Sequence, residues 1–256
     1  MEPIQPVADA IVARPNPPLP LRAPDGDPAS SRPRPSKRAV GMTVLVVAML
    51  LLATIVWRPS WLPFAEQSAT GTTLSGSFLY QQQRALSCEF ASVHIATVML
   101  GSPVSEYTFD DLVGVNENPH LGYRGDIHGV WGNTDDYGIY NEPLATALTG
   151  LGFTADAFYA DGDRDMLTDA LDAGMPTVVW LAMRGDVNSF DVWDANGDRY
   201  QLTQWMHVML AYGYDEEGVY LTDPGTAVYR FYAWDEFMGM WNVMDGMGLS
   251  IGLSAD

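Results

Sequence analysis

The stretch ALSCEFASVHIATVMLG, residues 85–101, carries the first strong helix signal after a connector rich in Gly, Ser and Thr at residues 68–77. Its apolar side chains recur at helical spacing, and Gly101 follows as a stop signal. Ser87 is the predicted N-cap, which places Cys88 in the first helical turn. The side chains predicted to share one face of this helix are Phe90, Val93, Thr97 and Leu100.

The next segments alternate between irregular sequence and helices. Residues 105–138 are rich in Asp, Asn, Gly and Tyr, which predicts a loop region with one short helix near Phe109–Val113. A second helix is predicted over Glu142–Leu151. A third, over Arg164–Ala173, leads into a continuous apolar strand at Thr177–Met183, which indicates a helix feeding a buried strand.

The last third of the chain predicts a sheet. Asn196-Gly197 lies between the segments 191–194 and 199–211, which predicts a hairpin whose second arm carries His207. With helices first and the sheet afterwards, the order favours an α+β domain. The remaining predicted elements are strands at Gly218–Asp223, Val228–Tyr232 and Leu249–Leu253, and a helix at Trp234–Met244.

Cys88 is the single cysteine of the chain, so no intramolecular disulfide can form. A thiol in the first turn of a helix lies at the positive end of the helix dipole, close to unpaired backbone N–H groups. Both features favour the thiolate, which is the form that a nucleophile needs. The alternative is an ordinary buried cysteine that acts as a small apolar side chain.

A thiolate nucleophile also needs a base, and the base needs a polar partner that fixes its tautomer. Of the four histidines, His207 is the best candidate because it lies on a predicted strand. Asp223 follows sixteen residues later at the end of the next predicted strand, and antiparallel neighbours could bring the two together. His207 could instead be a structural strand histidine, and Asp223 a turn former.

Gln82 stands six residues before Cys88. Its side-chain amide could join the Cys88 backbone N–H in stabilising an oxyanion. Gln81 and Gln83 adjoin it, so either neighbour could hold this position instead.

The segments QQRALSCEFASVHIATVMLG, AGMPTVVWLA, MHVMLAYGYD and VYLTDPG resemble the C39-like peptidase family of the papain-like superfamily, over about residues 78–245. The resemblance implies a papain-like fold, with the catalytic helix packed on an antiparallel sheet. It also implies thiol-dependent hydrolysis of an amide bond in a peptide or protein substrate, with no cofactor and no metal. The family's catalytic Cys, His and Asp and its oxyanion Gln carry over to Cys88, His207, Asp223 and Gln82.

Two departures from bacteriocin-processing relatives limit what the resemblance implies. No ATPase or six-helix transporter portion follows the peptidase-like part, so leader-peptide cleavage during export is not implied. Met206 also stands directly before His207, where many relatives have an acidic residue. Two other functions stay open: a non-catalytic module that binds a peptide or wall component, and an acyl transferase that acts by transglutamination or on cell-wall peptides.

The N-terminal segments predict a membrane anchor. Residues 1–38 are proline-rich and are expected to be a disordered tail. Residues 39–57 carry no charge, and at about 1.5 Å per residue a helix of this length spans a hydrocarbon core of about 30 Å.

Three arginines and Lys37 precede this run and Arg58 follows it, which predicts a cytoplasmic tail. A linker, residues 58–77, and an extracytoplasmic domain, residues 78–256, would follow. A cleaved signal peptide is the alternative.

The charge distribution excludes nucleic-acid binding. The chain has a formal charge of −19, and after residue 60 only six arginines and no lysine face 28 acidic residues. Phosphate backbones are bound by clustered Lys or Arg, which this part of the chain lacks.

Neither of two possible metal sites is expected to bind a metal. The spacing of His120, Asp126 and His128 fits no standard zinc pattern. Asp191, Asp194, Asn196 and Asp198 resemble a calcium loop, but Arg199 stands where the Gly after the third ligand position is expected, and no Glu closes the loop.

Overall fold

A computed structural model describes residues 71–184 and 188–254. The predicted tail, the predicted transmembrane segment and residues 58–70 of the predicted linker lie outside these ranges. Within them, no helix combines the length and the apolar character that a membrane crossing requires.

The described chain forms one large antiparallel sheet and a separate two-stranded one. The strands are β1 (Thr72–Thr73), β2 (Phe153–Tyr159), β3 (Thr177–Ala182), β4 (Phe190–Trp193), β5 (Arg199–Leu202), β6 (Met206–Tyr214), β7 (Gly218–Asp223), β8 (Val228–Ala233) and β9 (Met247–Leu253). The strand order of the large sheet is β2-β9-β3-β6-β7-β8, and β1 pairs with β6 beside this path. Strands β4 and β5 form the small sheet.

Helices cover both faces of the large sheet, so its central strands are buried on both sides. The α-helices are α1 (Cys88–Met99), α2 (Phe109–Leu112), α3 (Asn141–Gly150), α4 (Asp165–Asp172) and α5 (Trp234–Trp241), and short 3-10 turns lie at Glu106–Thr108 and Asn242–Met244. The α+β class and the antiparallel sheet are as predicted.

Successive side chains of β3 pack into two different apolar cores, one on each face of the large sheet. Val178 and Trp180 pack into the core that contains residues of α1 and α3. Val179 and Leu181 pack into the core that contains residues of α4 and α5. Successive side chains of a strand point to opposite faces, so a strand that is covered on both sides must be apolar throughout. The continuous apolar run at Thr177–Met183 therefore marks a central strand.

The prediction that helices precede the sheet is incomplete. Strand β2 was not predicted, although it pairs along its whole length with β9 at one edge of the sheet. Its polar residues Thr154 and Asp156 alternate with small and aromatic ones, which gave no strong strand signal. The predicted connector at residues 68–77 also contains β1.

The predicted hairpin is correct at its tip and wrong in its second arm. Strands β4 and β5 pair around Asn196-Gly197, but the arm ends at Leu202 and His207 lies on a separate strand, β6, in the large sheet. Trp205 causes the break, because its φ of +60° is incompatible with a continuous strand. Its carbonyl accepts a hydrogen bond from the Met183 N–H, and Arg184 stacks on its ring 3.6 Å from the centroid.

Candidate active site

The chain before α1 is held rigidly, and this fixes where Cys88 begins the helix. The Leu86 N–H donates to the Ile127 carbonyl over 2.9 Å, and the Tyr123 hydroxyl donates to the Leu86 carbonyl over 2.6 Å. Ser87 occupies the predicted N-cap position, but its hydroxyl bonds to the Arg84 backbone and does not cap the helix. The helix itself begins at Cys88, so the thiol lies in the first turn as predicted.

Arg84 is a buried anchor of the same segment. Its guanidinium donates to the Glu106 carbonyl over 3.1 Å and pairs with the carboxylates of Glu106 and Asp110. It also lies over the rings of Phe90 and Tyr107. A buried charge is tolerated when it is paired and hydrogen-bonded, and the two Nη atoms of Arg84 meet both conditions, while its Nε is buried without a hydrogen-bond partner.

The imidazole of His207 and the carboxylate of Asp223 form a close pair. His207 is the second residue of β6 and Asp223 the last of β7, and these antiparallel neighbours bring them to the same end of the sheet. The His207 Nε2 and Asp223 Oδ1 atoms are 2.8 Å apart. A carboxylate at this distance favours the tautomer with hydrogen on Nε2, which leaves Nδ1 free to accept a proton.

Asp223 is held from several sides. Its Oδ1 also accepts from the Gly225 N–H over 2.8 Å, and its Oδ2 accepts from the Thr226 hydroxyl over 2.7 Å. Arg230 on β8 donates to Oδ2 from Nε and Nη2, over 3.1 and 2.9 Å. Burial alone would raise the pKa of Asp223, but His207, Thr226 and Arg230 together hold it well below the usual range. The aspartate is therefore ionised at neutral pH.

All four predicted site residues line a single cleft of about 300 Å³. Cys88, His207, Asp223 and Gln82 contribute to its wall, and Gln82 is the one of the three adjacent glutamines that does so among the described residues. Most of the remaining wall is apolar. It is formed by Ala85, Leu86, Trp131, Tyr137, Met183 and Met206.

Gln82 is fixed by contacts with its own chain segment. Its Nε2 donates to the carbonyls of Arg84 and Ala85, over 2.9 and 2.8 Å, and its backbone N–H donates to the Pro224 carbonyl over 2.9 Å. Its Oε1 is buried without a hydrogen-bond partner. The amide nitrogen can reach an oxyanion in the cleft only by giving up one of the two carbonyls.

Cys88 is 6% exposed, and its thiol donates to Glu89 Oε2 over 3.3 Å. Among the described residues no hydrogen bond joins Cys88 to His207. Burial raises the pKa of the thiol well above its ordinary value, and the neighbouring Glu89 carboxylate raises it further. The resting cysteine is therefore a thiol, although the helix start alone would favour the thiolate.

Trp131 forms a wall of the cleft beside His207. It comes from the long loop region before α3 and is 45% exposed. Its Nε1 donates to the Met206 carbonyl, and its ring lies edge-on to those of Trp205 and His207, with centroids 5.0 and 6.2 Å away. Trp131 therefore packs against one side of His207.

The other histidines lie away from this cleft. His94 Nδ1 bonds to the Val104 carbonyl over 2.7 Å. His120 pairs with Glu142. No cluster of three or more His, Cys, Asp or Glu side chains suited to a metal occurs within the described ranges.

The acidic run of the β4–β5 hairpin has a structural explanation. Asp194 Oδ1 accepts the N–H groups of Asn196 and Asp198, each over 2.9 Å. These bonds form the turn, as the hairpin prediction required.

Two residues of the site, Arg230 and Glu89, were not identified from the sequence, and for a third, Trp131, the sequence left open whether it lines a cleft or packs in the core. Arg230 stands out only because arginines are scarce in the acidic part of the chain. Glu89 is easier to notice in the sequence, because it is a charged residue beside the cysteine at the start of an otherwise apolar helix. Trp131 lies in irregular sequence, where no periodicity indicates what a side chain contacts.

Comparison with known proteins supports the assignment of the fold. The model of the Peptidase_C39 like family matches residues 76–249. No curated protein sequence matches the chain.

Several solved structures are similar. A protein assigned as a C39-like peptidase from Bacillus anthracis superposes with a TM-score of 0.60 at 22% identity, covering 73% of this chain and 99% of that one. The peptidase domain of Streptococcus ComA has a TM-score of 0.45 at 16% identity, covering 70% and 99%. The cysteine protease xylellain from Xylella fastidiosa has a TM-score of 0.39 at 13% identity, covering 72% and 86%.

Proposed function

The chain belongs to the C39-like peptidase family, and we propose that it hydrolyses peptide bonds through Cys88, His207 and Asp223. The observation that carries this proposal is the arrangement in the cleft. His207 Nε2 is paired with Asp223 at 2.8 Å, which leaves Nδ1 as the free base in a cleft that also contains the only thiol of the chain.

The proposed reaction begins with proton transfer from the Cys88 thiol to His207 Nδ1. The Cys88 sulfur then attacks the carbonyl carbon of the substrate, and the C=O electrons move to the oxygen. The resulting oxyanion is stabilised by the Cys88 backbone N–H and by the Gln82 amide. Asp223 keeps His207 oriented and stabilises its charged form.

Collapse of this intermediate breaks the C–N bond. His207 gives its proton to the leaving amine, and the acyl group stays on Cys88 as a thioester. His207 then takes a proton from water, whose oxygen attacks the thioester carbonyl. The acid product leaves and the thiol is restored, so the cycle needs no other reactant.

The shape of the cleft favours a substrate with an apolar side chain next to the cleaved bond. Trp131, Met183 and Met206 form an apolar wall beside the nucleophile. An apolar side chain gains about 25 cal/mol for each Å² that such a wall removes from water. The acidic surface of the domain also disfavours strongly anionic peptides.

A peptide digestion experiment tests the proposal. The full chain is incubated with a diverse peptide mixture, and new termini are identified by mass spectrometry. New termini are expected with the wild type, with apolar residues enriched beside them, and none with Cys88→Ala. Glu142→Gln, which alters a carboxylate away from the cleft, is the matched control and should cleave like the wild type. Equal product patterns from the wild type and Cys88→Ala would contradict the proposal.

The same assay separates the two other functions. Addition of a primary amine would yield amide products if Cys88 transfers acyl groups to amines. Peptide retention without turnover would indicate a binding module. Hydrolysis as the main reaction would support the peptidase function.

We also propose that residues 39–57 anchor the protein in the cell membrane, with the peptidase domain on the extracytoplasmic side. This proposal is supported by the uncharged run and by the basic residues that precede it. Protease added to intact cells should degrade the domain but not an epitope tag fused to residue 1. Protection of the domain, or its release into the medium after cleavage, would overturn the topology.

A further inference from the structure

Glu89 is a fully buried carboxyl group next to the proposed nucleophile. Its Oε1 accepts the Ile139 N–H over 3.1 Å, and its Oε2 accepts the Cys88 thiol over 3.3 Å. The backbone of Gly138 closes over it, because a Cβ at this glycine would collide with Oε1. The carboxyl therefore has no access to solvent and directly contacts the sulfur.

No cation compensates the charge of Glu89 within the described part of the chain. The ionisable groups around it are Cys88 on the same helix and Tyr123 and Tyr137 from the loop region. Strand β6 brings the uncharged Met206 against Gly138, and the His207 Nε2 is directed at Asp223. An ionised carboxylate in such surroundings is unfavourable. Burial accordingly raises the pKa of Glu89 to about 7.

We infer that Glu89 is a positioning residue for Cys88: its carboxylate holds the thiol hydrogen in the resting protein, and its charge sets the pH at which Cys88 becomes a thiolate. This inference rests on the proposed function, because it assigns Glu89 a role only if Cys88 reacts. It explains why the thiol contacts Glu89 and not His207.

The physical reason is the repulsion between two negative charges in contact. An ionised Glu89 disfavours a thiolate 3.3 Å away, whereas a protonated Glu89 removes this repulsion and can donate a hydrogen bond to the sulfur. Glu89 changes charge within the neutral pH range, so it couples the reactivity of Cys88 to pH. A purely structural role, in which Glu89 only holds the Ile139 N–H, would give no such coupling.

Alkylation of Cys88 by iodoacetamide measures this coupling directly, since the chain has no other cysteine. Rates are measured from pH 5.5 to 8.5 for the full-length wild type and for Glu89→Gln, which keeps an acceptor for Ile139 but carries no charge. The ratio of the Glu89→Gln rate to the wild-type rate is expected to rise about tenfold over this range, the effect of about one pKa unit. Glu142→Gln should give a ratio that does not change with pH.

A pH-independent ratio for Glu89→Gln would overturn the inference, since a structural change alters the rate equally at every pH. His207→Ala separates this failure from failure of the proposed function. If Cys88 is not activated by His207, then His207→Ala reacts with iodoacetamide like the wild type, whatever Glu89 does.

A second measurement needs no variant and covers the case in which Glu89→Gln does not fold. The carboxyl signal of Glu89 is followed by infrared spectroscopy through a pH titration, before and after Cys88 is alkylated. Coupling predicts a titration near pH 7 that moves to higher pH once the sulfur has no hydrogen to donate to Glu89. An unchanged titration would contradict the inference.

Discussion

Arg230 donates two hydrogen bonds to Asp223 Oδ2, while the other oxygen of the same carboxylate accepts the His207 Nε2 hydrogen. Hydrogen bonds between a guanidinium and a carboxylate fix geometry as well as charge. Arg230 therefore acts on His207 through Asp223, and it does so from a separate strand, β8.

Replacing Arg230 by Gln is expected to lower kcat/KM for peptide hydrolysis about tenfold, because Asp223 loses the bonds that hold it in line with His207. Steady-state kinetics with a cleaved peptide measure the loss. The matched control is Arg199→Gln, which removes an exposed arginine paired with Asp191 at 3.3 Å on the β4–β5 hairpin. Equal losses in both variants would mean that the effect is not specific to the site.

The free energy of unfolding of Arg230→Gln is also expected to depend on pH differently from that of the wild type. Asp223 has a lowered pKa in the folded protein, so its ionised form stabilises the fold above its unfolded pKa of about 4. This contribution is lost as the pH falls through the folded value. The stability difference between wild type and Arg230→Gln should therefore be constant near neutral pH and shrink once the pH falls below the folded pKa of Asp223 in the variant. Urea unfolding from about pH 2 to 7 measures it, and a difference that grows in acid would contradict the pairing.

Gln82→Ala is expected to lower kcat by about tenfold to a hundredfold with little change in KM, because an oxyanion donor acts mainly in the transition state. Gln83→Ala is the control, since Gln83 is exposed and bonds to the Gln81 carbonyl. If Gln82→Ala raises only KM, the residue binds the substrate and does not stabilise the oxyanion.

Trp131→Ala is expected to raise KM about tenfold for peptides with an apolar side chain beside the cleaved bond, because the largest apolar part of the wall is removed. KM for a peptide with a small polar residue at that position should change less. Trp193→Ala removes another exposed tryptophan, from strand β4, and should leave both values unchanged. A uniform change across peptides would point to a general effect on folding.

Glu89 predicts an unusual dependence of stability on pH. Its pKa is about 7 in the folded protein and 4.5 in an ordinary environment, so the folded state binds a proton that the unfolded state has released. Stability should therefore fall as the pH rises from about 4.5 to 7, by up to about 3 kcal/mol from this group. Urea unfolding of the wild type and Glu89→Gln isolates the contribution. The wild type should lose more stability between pH 5 and 8, and parallel curves would rule it out.

Hydrophobic periodicity predicted the helices and strands whose apolar residues are regularly spaced. The helix at residues 85–101, strand β3 and strand β7 were found because their apolar residues recur regularly and end at Gly or Asp-Pro. Strand β2 has no such regularity, and only its pairing with β9 makes it a strand. Tertiary pairing of this kind cannot be recognised from local spacing.

Some contacts of the candidate site could likewise be predicted from the sequence and others could not. The pairing of His207 with Asp223 followed from two neighbouring strands, and the geometry agrees with it. The contact of Cys88 with Glu89 was not predicted, because a glutamate in the first turn of a helix is ordinarily exposed to solvent. The roles of Trp131 and Arg230 depend on how a long loop and an edge strand meet the cleft, which is a property of the folded chain.

The break at Trp205 has a consequence for how the chain tolerates change in length. Because side chains alternate along β6, one residue more or fewer between Leu202 and Met206 would exchange the two faces of the strand. His207 would then face an apolar core, and its place beside Asp223 would be taken by Met206 after an insertion or by Val208 after a deletion. Insertions are therefore expected to be accepted at the Asn196-Gly197 turn and rejected between Leu202 and Met206. The sequence alone predicts that both positions belong to a single hairpin.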